Sequence, residues 1–324
     1  MEILVTGGAG FLGRKLVGAL LRRGEWPDAR GEEQRITRLI LLDQVATPCP
    51  DSRCVSLVGD LSDPQVVAEA LTPGVRVIFH LGAVVSGEAE RDFDLGMRVN
   101  FDATRLLLER ARRNGNVPRV VFTSSVAVFG GELPATVTDE TPAHPNNSYG
   151  VQKVLGELLV ADYTRRGFLD GRSVRLPIVA IRPGRPNRAA SGFASGIIRE
   201  PLAGERGVCP VPSTTRLWIG SPRGAIANLV QAGWLDQASW GSPFAVNATG
   251  LSVTTGEMVA ALERVAGREV AGRVDWQPDP EVQRIVGGWP GRLETARACR
   301  LGMHRETTFD DVIRAYLEED LQKT

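Results

Sequence analysis

A glycine-rich turn near the N-terminus constrains the fold of this chain more than any other feature. Glycines at 7, 10 and 13 follow an apolar segment, residues 2–5, and extend into the start of an amphipathic segment, residues 11–23. In a strand–turn–helix unit such glycines permit a tight turn, close approach of a pyrophosphate to the backbone, and packing of the helix on the strand. The phosphates then rest on the helix N-terminus. The pattern predicts a dinucleotide site that includes Gly7, Gly10, Phe11, Leu12 and Gly13.

Strand-like and helical segments alternate through the first half of the chain, which indicates a parallel sheet wrapped by helices. We predict strands at 2–5, 38–43, 54–57, 76–80, 119–124 and 173–182, and helices at 11–23, 64–71, 90–114, 149–166, 222–235, 254–266 and 309–320. After Arg182 the pattern becomes irregular. The prediction is an α/β fold with a Rossmann-type doubly wound parallel sheet. A cofactor domain would span 1–182, and a smaller mixed α/β substrate-binding region 183–324, with some segments of the latter returning to the former.

The composition excludes several other classes of protein. Lys+Arg and Asp+Glu both number 38 among 324 residues, so the chain lacks the positive excess that binds nucleic-acid phosphates. No segment approaches the ~18 apolar residues of a membrane span, and no basic leader of a signal peptide is visible, so we expect a cytoplasmic protein. The four cysteines show no C-x-x-C spacing and the three histidines lie far apart. We therefore expect reduced cysteines and no metal site.

An acidic residue, Asp43, ends the second predicted strand. A carboxylate at this position accepts hydrogen bonds from the adenosine ribose and repels a 2′-phosphate, which favours NAD over NADP. Asp43 follows Gly13 by 30 residues, more than the usual ~20. We attribute the difference to a surface loop over residues 24–35.

A tyrosine and a lysine, Tyr149 and Lys153, lie one helical turn apart. A free tyrosine has a pKa of about 10, and a neighbouring ammonium lowers it by stabilising the phenolate. Ser125 follows the fifth predicted strand, at the sheet edge where doubly wound folds place reacting groups. There it can hold a substrate oxygen against the tyrosine. These residue types predict a catalytic group of Ser125, Tyr149 and Lys153.

Together the motifs resemble the extended short-chain dehydrogenase/reductases, the NAD-dependent epimerase/dehydratase family, over essentially the whole chain. Further matching positions are Asp60-Leu61, His80-Leu-Gly-Ala83, Asn100 and Arg182-Pro183. The resemblance implies NAD as cofactor, with Tyr149 as the proton-transfer residue, Ser125 on the substrate and Lys153 also on the nicotinamide ribose. It places Asp60 and Leu61 at the adenine, Leu81, Gly82 and Ala83 along the phosphate and ribose path, and Asn100 in the cofactor site. It also implies a homodimer through helices 90–114 and 149–166.

The sequence departs from the nucleotide-sugar members of this family. The acidic pair typical of dehydratases is replaced by Val126-Ala-Val-Phe129, and the usual nucleotide-site segment by residues 216–223. Residues 182–201 instead resemble the D-erythronate dehydrogenases, which oxidise C2 of a four-carbon sugar acid with NAD. The resemblance implies oxidation of D-erythronate to 2-oxo-tetronate.

A small sugar acid needs a cation for its carboxylate, and arginine forks bind carboxylates through two parallel hydrogen bonds. Arginines occur at 182, 185, 188, 199, 216 and 223. Our first choices are Arg185 and Arg216, with Asn187, Ser195 and Trp218 as pocket walls. Two alternatives stay open: a nucleotide-sugar epimerase of the same family and a non-catalytic NAD-binding protein.

Overall fold

The computed structural model of the protein describes residues 1–184 and 191–321. The strands are β1 (Glu2–Thr6), β2 (Glu25–Pro27), β3 (Glu33–Arg35), β4 (Arg38–Asp43), β5 (Cys54–Val58), β6 (Val75–His80), β7 (Arg119–Ser125), β8 (Asp170–Leu176), β9 (Ile178–Val179), β10 (Gly207–Cys209), β11 (Arg216–Gly220), β12 (Val246–Asn247), β13 (Leu251–Thr254) and β14 (Val274–Trp276).

The α-helices are α1 (Phe11–Arg23), α2 (Pro64–Ala70), α3 (Ser86–Arg91), α4 (Phe93–Gly96), α5 (Ala103–Asn114), α6 (Ser148–Arg165), α7 (Gly192–Leu202), α8 (Pro222–Trp234), α9 (Gln237–Trp240), α10 (Thr255–Ala266), α11 (Arg268–Ala271), α12 (Pro280–Gly287), α13 (Ala296–Arg300) and α14 (Phe309–Glu319). A π-helical segment, Met97–Asp102, joins α4 to α5, and a 3₁₀ turn, Val126–Val128, follows β7. None of the helices in the described part of the chain combines the length and apolar character needed to cross a bilayer.

A parallel sheet of order β12-β8-β7-β6-β1-β4-β5 forms the centre of the molecule. β1 lies between β4 and β6, so Val5 pairs with Leu41 on one side and with Phe79 on the other. The strand order reverses beside β1, and ligands of open α/β sheets bind at such a switch point, outside the carboxyl ends of the strands. The predicted Rossmann-type doubly wound fold is confirmed.

Helices cover both faces of this sheet, as the continuously apolar strands require. On one face, Val5 packs in a buried cluster with Leu20 of α1 and Leu229 of α8. On the other face, Leu4 shares a buried cluster with Leu107 of α5 and with residues of α2 and α6. Neighbouring residues of β1 therefore point to opposite layers, and burial on both sides fixes the register.

The C-terminal part of the chain has its own apolar core. A small sheet of order β13-β11-β9, the pair β10-β14 and the helices α7, α10 and α14 surround buried residues such as Ile197, Leu217 and Met258. Two segments beyond Arg182 belong instead to the large sheet, because β12 is its edge strand and α8 packs on it. The domain division at residue 182 stays a prediction.

The predicted strand 173–182 is wrong in its extent. β8 ends at Leu176, and the chain then enters the small sheet as β9. Pro177 lies between the two strands, and a proline without an N–H group cannot continue the hydrogen-bond ladder.

The predicted helix 90–114 is interrupted rather than continuous. It is divided into α3, α4, the π segment Met97–Asp102 and α5. Gly96 lies so close to α6 that a Cβ atom there would come within 2.6 Å of Gln152 Nε2. Asp92 caps α4 by accepting a hydrogen bond from Leu95 N at 2.9 Å. Such local contacts are invisible to hydrophobic periodicity.

Three further expectations are corrected. The predicted loop 24–35 contains the β2–β3 hairpin, because Trp26 is fully buried against Phe79 and Trp234. The segment predicted to be irregular after Arg182 contains the helix α7, whose glycines and internal Pro201 weaken its sequence signal. A disulfide joins Cys49 and Cys54, which were expected to be reduced; their Cα atoms lie 6.2 Å apart, within the range that a disulfide spans.

Candidate active site

The glycine turn connects β1 to α1 in a conformation that side chains would block. Gly7 has φ of +72°, and a Cβ atom on Gly13 would lie 2.1 Å from the carbonyl oxygen of Gly7. The turn also packs on the residues after β6, because a Cβ atom on Gly7 would lie 2.8 Å from Gly82 N. Phe11 and Leu12 begin α1, whose first turn, fully described, carries no acidic side chain. The turn and the helix N-terminus suit a pyrophosphate.

Asp43 ends β4 beside this turn. Its Oδ2 accepts a hydrogen bond from Ala9 N at 3.0 Å, and its Oδ1 accepts one from Gln44 N at 2.7 Å. The carboxylate therefore lies at the switch point, next to the glycine turn, where the sequence analysis expected a ribose-binding acid. This position supports the predicted preference for NAD.

Asp60, Leu61, Leu81, Gly82 and Ala83 lie in the segments that follow β5 and β6, neighbours of β4 and β1 in the sheet. Asp60 accepts hydrogen bonds from the backbone and hydroxyl of Ser62 at 2.8 and 2.7 Å, which lower the pKa of the Asp60 carboxyl. Thr6 fixes the segment after β6, since its Oγ1 accepts a hydrogen bond from Gly82 N at 3.0 Å.

His80 supports the segment after β6 indirectly, through Thr6. Its imidazole lies between the hydroxyls of Thr6 and Thr104, at 2.7 and 2.8 Å. Burial lowers the pKa of His80 to about 3, so the ring is neutral. His80 is therefore a structural residue.

Asn100, predicted to bind the cofactor, uses both ends of its amide inside the protein. Its Oδ1 accepts a hydrogen bond from Val84 N at 2.7 Å, and its Nδ2 donates to Val84 O at 3.1 Å and to Gln152 Oε1 at 2.8 Å. The side chain thus ties the loop after Ala83 to α6, and we now interpret Asn100 as a residue that positions this loop.

Tyr149 and Lys153 lie on the first turns of α6, which is capped by Asn147 Oδ1 accepting from Gly150 N at 2.8 Å. The Lys153 ammonium lies 5.5 Å from the centre of the Tyr149 ring and donates to the carbonyl of Thr123 at 2.8 Å. α6 approaches the turn after β7 so closely that a Cβ atom on Gly150 would lie 2.2 Å from Ala127 O. This contact brings the Tyr149–Lys153 face to the end of β7.

The two serines at the end of β7 have different partners. Ser124 donates its hydroxyl to Glu157 Oε1 at 2.5 Å, on the α6 side of the sheet. Ser125 Oγ accepts a hydrogen bond from Ala127 N at 3.1 Å, which caps the 3₁₀ turn and leaves its hydroxyl proton as a donor. Strand alternation therefore commits Ser124 to the protein interior and favours Ser125 as the serine that contacts a substrate.

The pKa of Tyr149 differs from the sequence-based expectation. Burial raises it to about 12, and the charge that opposes this increase comes from Arg182 rather than from Lys153. Burial also lowers the pKa of Lys153 to about 8, while the carboxylate of Glu157 acts in the opposite direction. The ammonium of Lys153 donates its hydrogen bond to the Thr123 carbonyl.

Sequence analysis missed the buried charges behind this site. Glu157 accepts hydrogen bonds from Arg175 Nε at 2.9 Å and from Nη2 at 2.7 Å, and both side chains are nearly buried. Glu157 lies one turn beyond Lys153, so its i, i+4 spacing was an available signal. Its arginine partner is on β8 and gives no local signal.

The predicted substrate residues do not all lie at one site. Arg185 and Asn187 lie outside the described residues. Ser195 is buried and its Oγ accepts a hydrogen bond from Arg182 N at 3.2 Å. Arg216 is exposed, donates to Ser252 O at 3.3 Å and pairs with Glu257 at 3.7 Å. Its charge therefore already has a carboxylate partner.

Trp218 is the predicted pocket residue that lies beside the serine turn. It packs in a buried cluster with Val126, Val128 and Phe129, directly after Ser125. Its indole Nε1 is buried without a hydrogen-bond acceptor among the described residues.

The chain is similar in sequence and in structure to known proteins. Residues 3–219 match the NAD dependent epimerase/dehydratase family. The chain is 54% identical over 320 residues to the D-erythronate dehydrogenase of Cupriavidus necator, covering 98% of each chain. It is 41% identical over 325 residues to that of Haemophilus influenzae, covering 99% of this chain and 100% of the relative. A solved structure, the nucleoside-diphosphate-sugar epimerase from Agrobacterium tumefaciens, aligns with a TM-score of 0.93 and 41% identity over 100% of this chain and 95% of that chain.

Proposed function

Because the chain belongs to the NAD dependent epimerase/dehydratase family, we propose that it oxidises the C2 hydroxyl of D-erythronate to give 2-oxo-tetronate. The family predicted from the motifs is confirmed, and the protein is an NAD-dependent oxidoreductase acting on a CH–OH group. The choice of substrate rests on the two nearly full-length relatives that carry the name D-erythronate dehydrogenase. The observation that supports the chemistry is the placement of Tyr149 and Lys153 against the turn that begins at Ser125.

The glycine turn suits the dinucleotide, because it leads directly into the N-terminus of α1, whose first turn carries no acidic side chain among the described residues. We propose that Gly7, Gly10, Phe11 and Leu12 bind the pyrophosphate at the start of α1, and that Asp43 accepts the ribose hydroxyls. Asp60 and Leu61 would contact the adenine, and Leu81, Gly82 and Ala83 would line the path between them.

In the proposed reaction, Tyr149 and Ser125 both bind the C2 oxygen. Ser125 donates a hydrogen bond to it, and Tyr149 as phenolate accepts its proton. When bound, NAD supplies the acceptor for the C2 hydride and a positively charged nicotinamide ring. Lys153 holds its ammonium beside the phenol and contacts the nicotinamide ribose. The positive charge of Arg182 already opposes the increase in the pKa of Tyr149.

The test is incubation of the protein with D-erythronate and NAD while the absorbance of NADH is recorded. We expect NADH to accumulate with the native protein and not with Tyr149→Phe, which lacks the phenolate oxygen that accepts the proton. The variant should bind NAD with nearly native affinity, because the glycine turn and Asp43 are unchanged. Normal turnover by Tyr149→Phe would show that another group is the base.

A nucleotide-sugar epimerase is the second candidate function. It is favoured by one specific observation, the similarity to the Agrobacterium tumefaciens protein described as a nucleoside-diphosphate-sugar epimerase. An epimerase releases no NADH, because the hydride returns to the sugar. Interconversion of UDP-sugars without NADH accumulation, together with no reaction on D-erythronate, would establish this second function.

We further propose that two copies associate through residues 90–114 and α6. Val151 and Leu158 are 42% and 56% exposed, and their seven-residue spacing places them on one face of α6. Phe93, 60% exposed, lies within the first of these segments, on α4. Light scattering should give the mass of a dimer for the native protein and the mass of a monomer for Leu158→Lys. The control Phe244→Lys alters an exposed residue outside these helices and should remain a dimer. A cytoplasmic location is part of the proposal and is testable by cell fractionation.

A further inference from the structure

Arg182 is held in a fixed position by its backbone. Its N–H donates to the buried Ser195 Oγ at 3.2 Å, and its carbonyl accepts from Arg199 Nη1 at 2.7 Å. Both partners belong to α7, which packs in the core of the C-terminal region. The side chain of Arg182 therefore starts from a rigid point where the two regions of the protein meet.

The charge of this arginine is not balanced by a carboxylate. Among residues 1–184 and 191–321, the ion pairs include none with Arg182, and its Nη2 makes a long contact of 3.4 Å with Ser191 Oγ. The neighbouring Arg199 is also positive, but pairs with Glu200 at 2.5 Å. Burial lowers the pKa of Arg182, and the charge of Arg199 lowers it further. A partly buried cation without a counter-charge is costly unless a ligand supplies one.

Two other arginines, one on the central sheet and one on the small sheet, already have acidic partners. Arg175 pairs with Glu157, and Arg216 with Glu257. Arg182 lies six residues beyond Leu176, the last residue of β8 and the register partner of Ser125 on β7, so its segment leaves the sheet beside the serine turn. In agreement with this position, Arg182 and Tyr149 each oppose the pKa shift that burial causes in the other. The unpaired guanidinium of Arg182 therefore lies near Tyr149, the residue that accepts the proton in the proposed reaction.

We propose that the guanidinium of Arg182 binds the carboxylate of the sugar acid. In a 2-hydroxy acid the carboxylate carbon is bonded directly to C2, so a group that binds it must lie beside the residue that takes the C2 hydroxyl proton. Arg182 has this position, whereas the sequence-based choice Arg216 is exposed and paired with Glu257. A planar guanidinium donates two parallel hydrogen bonds to a carboxylate and fixes the orientation of C2. The inference rests on the proposed function and adds its recognition element.

The experiment compares Arg182→Met with the native enzyme on D-erythronate and on erythritol, the uncharged four-carbon polyol. We expect kcat/KM for D-erythronate to fall roughly 100-fold, as for loss of hydrogen bonds to a charged group. The smaller rate on erythritol should fall much less, because erythritol loses only the effect of the Arg182 charge on Tyr149. The Kd for NAD should change less than about twofold. Arg182→Lys, which keeps the charge but not the fork, should recover part of the loss. The control Arg206→Met removes an exposed arginine that pairs with Asp275, away from the site, and should leave both rates unchanged.

The outcomes separate this inference from the proposed function. A native enzyme that does not oxidise D-erythronate would overturn the function, and the carboxylate role with it. A native enzyme that does, together with an Arg182→Met variant that keeps its kcat/KM, would overturn the role of Arg182 alone. An equal loss on D-erythronate and erythritol, or a parallel loss of NAD affinity, would also overturn it, because either shows a structural or cofactor role. If Arg182→Met does not fold, Arg182→Lys with the same two substrates decides between these outcomes.

Discussion

Glu157→Gln should destabilise the protein far more than its conservative chemistry suggests. The native carboxylate binds Arg175 through two hydrogen bonds of 2.9 and 2.7 Å and accepts a third from Ser124. The side chains of Arg175 and Glu157 are only 11% and 7% exposed. Loss of one charge leaves the other buried and unpaired, which costs about 3–5 kcal/mol. At a few degrees per kcal/mol, the melting temperature should fall by about 10 °C.

Two controls make this assay decisive. The variant Glu157→Gln/Arg175→Met removes both buried charges, so we expect it to recover about half of the lost free energy of unfolding. Glu318→Gln breaks an exposed pair with Arg223 and should cost less than about 1 kcal/mol. Urea unfolding at pH 7 measures the three free energies. A cost for Glu157→Gln no greater than that for Glu318→Gln would refute the argument that burial decides the effect.

The same substitution has a second consequence, for pH dependence. Burial lowers the pKa of Lys153 to about 8, and Glu157 opposes this shift, so the variant should lose the Lys153 proton at a lower pH. Between the folded and unfolded pKa values the unfolded chain binds more protons, and stability therefore rises with pH in that window. The alkaline limb of kcat/KM should move to lower pH in the variant. An unchanged limb would separate Glu157 from the charge state of Lys153.

Three other predictions address the cofactor site and the proton-transfer residue. Gly13→Ala should abolish NAD binding in a calorimetric titration, because its Cβ would lie 2.1 Å from a backbone oxygen. The control Gly18→Ala lies on the same helix and should retain binding, because its Cβ would meet only the end of a flexible side chain at 3.3 Å. Asp43→Asn keeps an oxygen for Ala9 N but loses its charge, so the kinetic preference for NAD over NADP should fall about tenfold, a repulsion of 1.4 kcal/mol; an unchanged ratio would contradict the role given to Asp43. Since burial raises the pKa of Tyr149 to about 12, kcat/KM should increase with pH on the acidic limb, and a flat profile below pH 8 would show that phenolate formation does not limit the reaction.

The sequence predicted those parts of the fold that local pattern determines. The glycine spacing at 7, 10 and 13 and the continuous apolar strands can be recognised from neighbouring residues alone. The doubly wound sheet follows from these two patterns. The hairpin around Trp26 was not predictable in this way. Its burial depends on Phe79 and Trp234, which are remote in sequence. The π segment that carries Asn100 likewise depends on contacts with α6 and the loop at Val84.

The arginines show why the substrate site was harder to predict than the cofactor site. A net charge of zero states that positive and negative groups are equal in number, but not which of them meet. Arg216 pairs with Glu257, 41 positions later in the sequence, and Arg175 of β8 pairs with Glu157 of α6. Arg182, in contrast, follows the strand that pairs with Ser125 and has no carboxylate partner among the described residues. In a chain whose charges balance, the place where folding leaves a buried cation unpaired is where a negatively charged ligand gains most from binding.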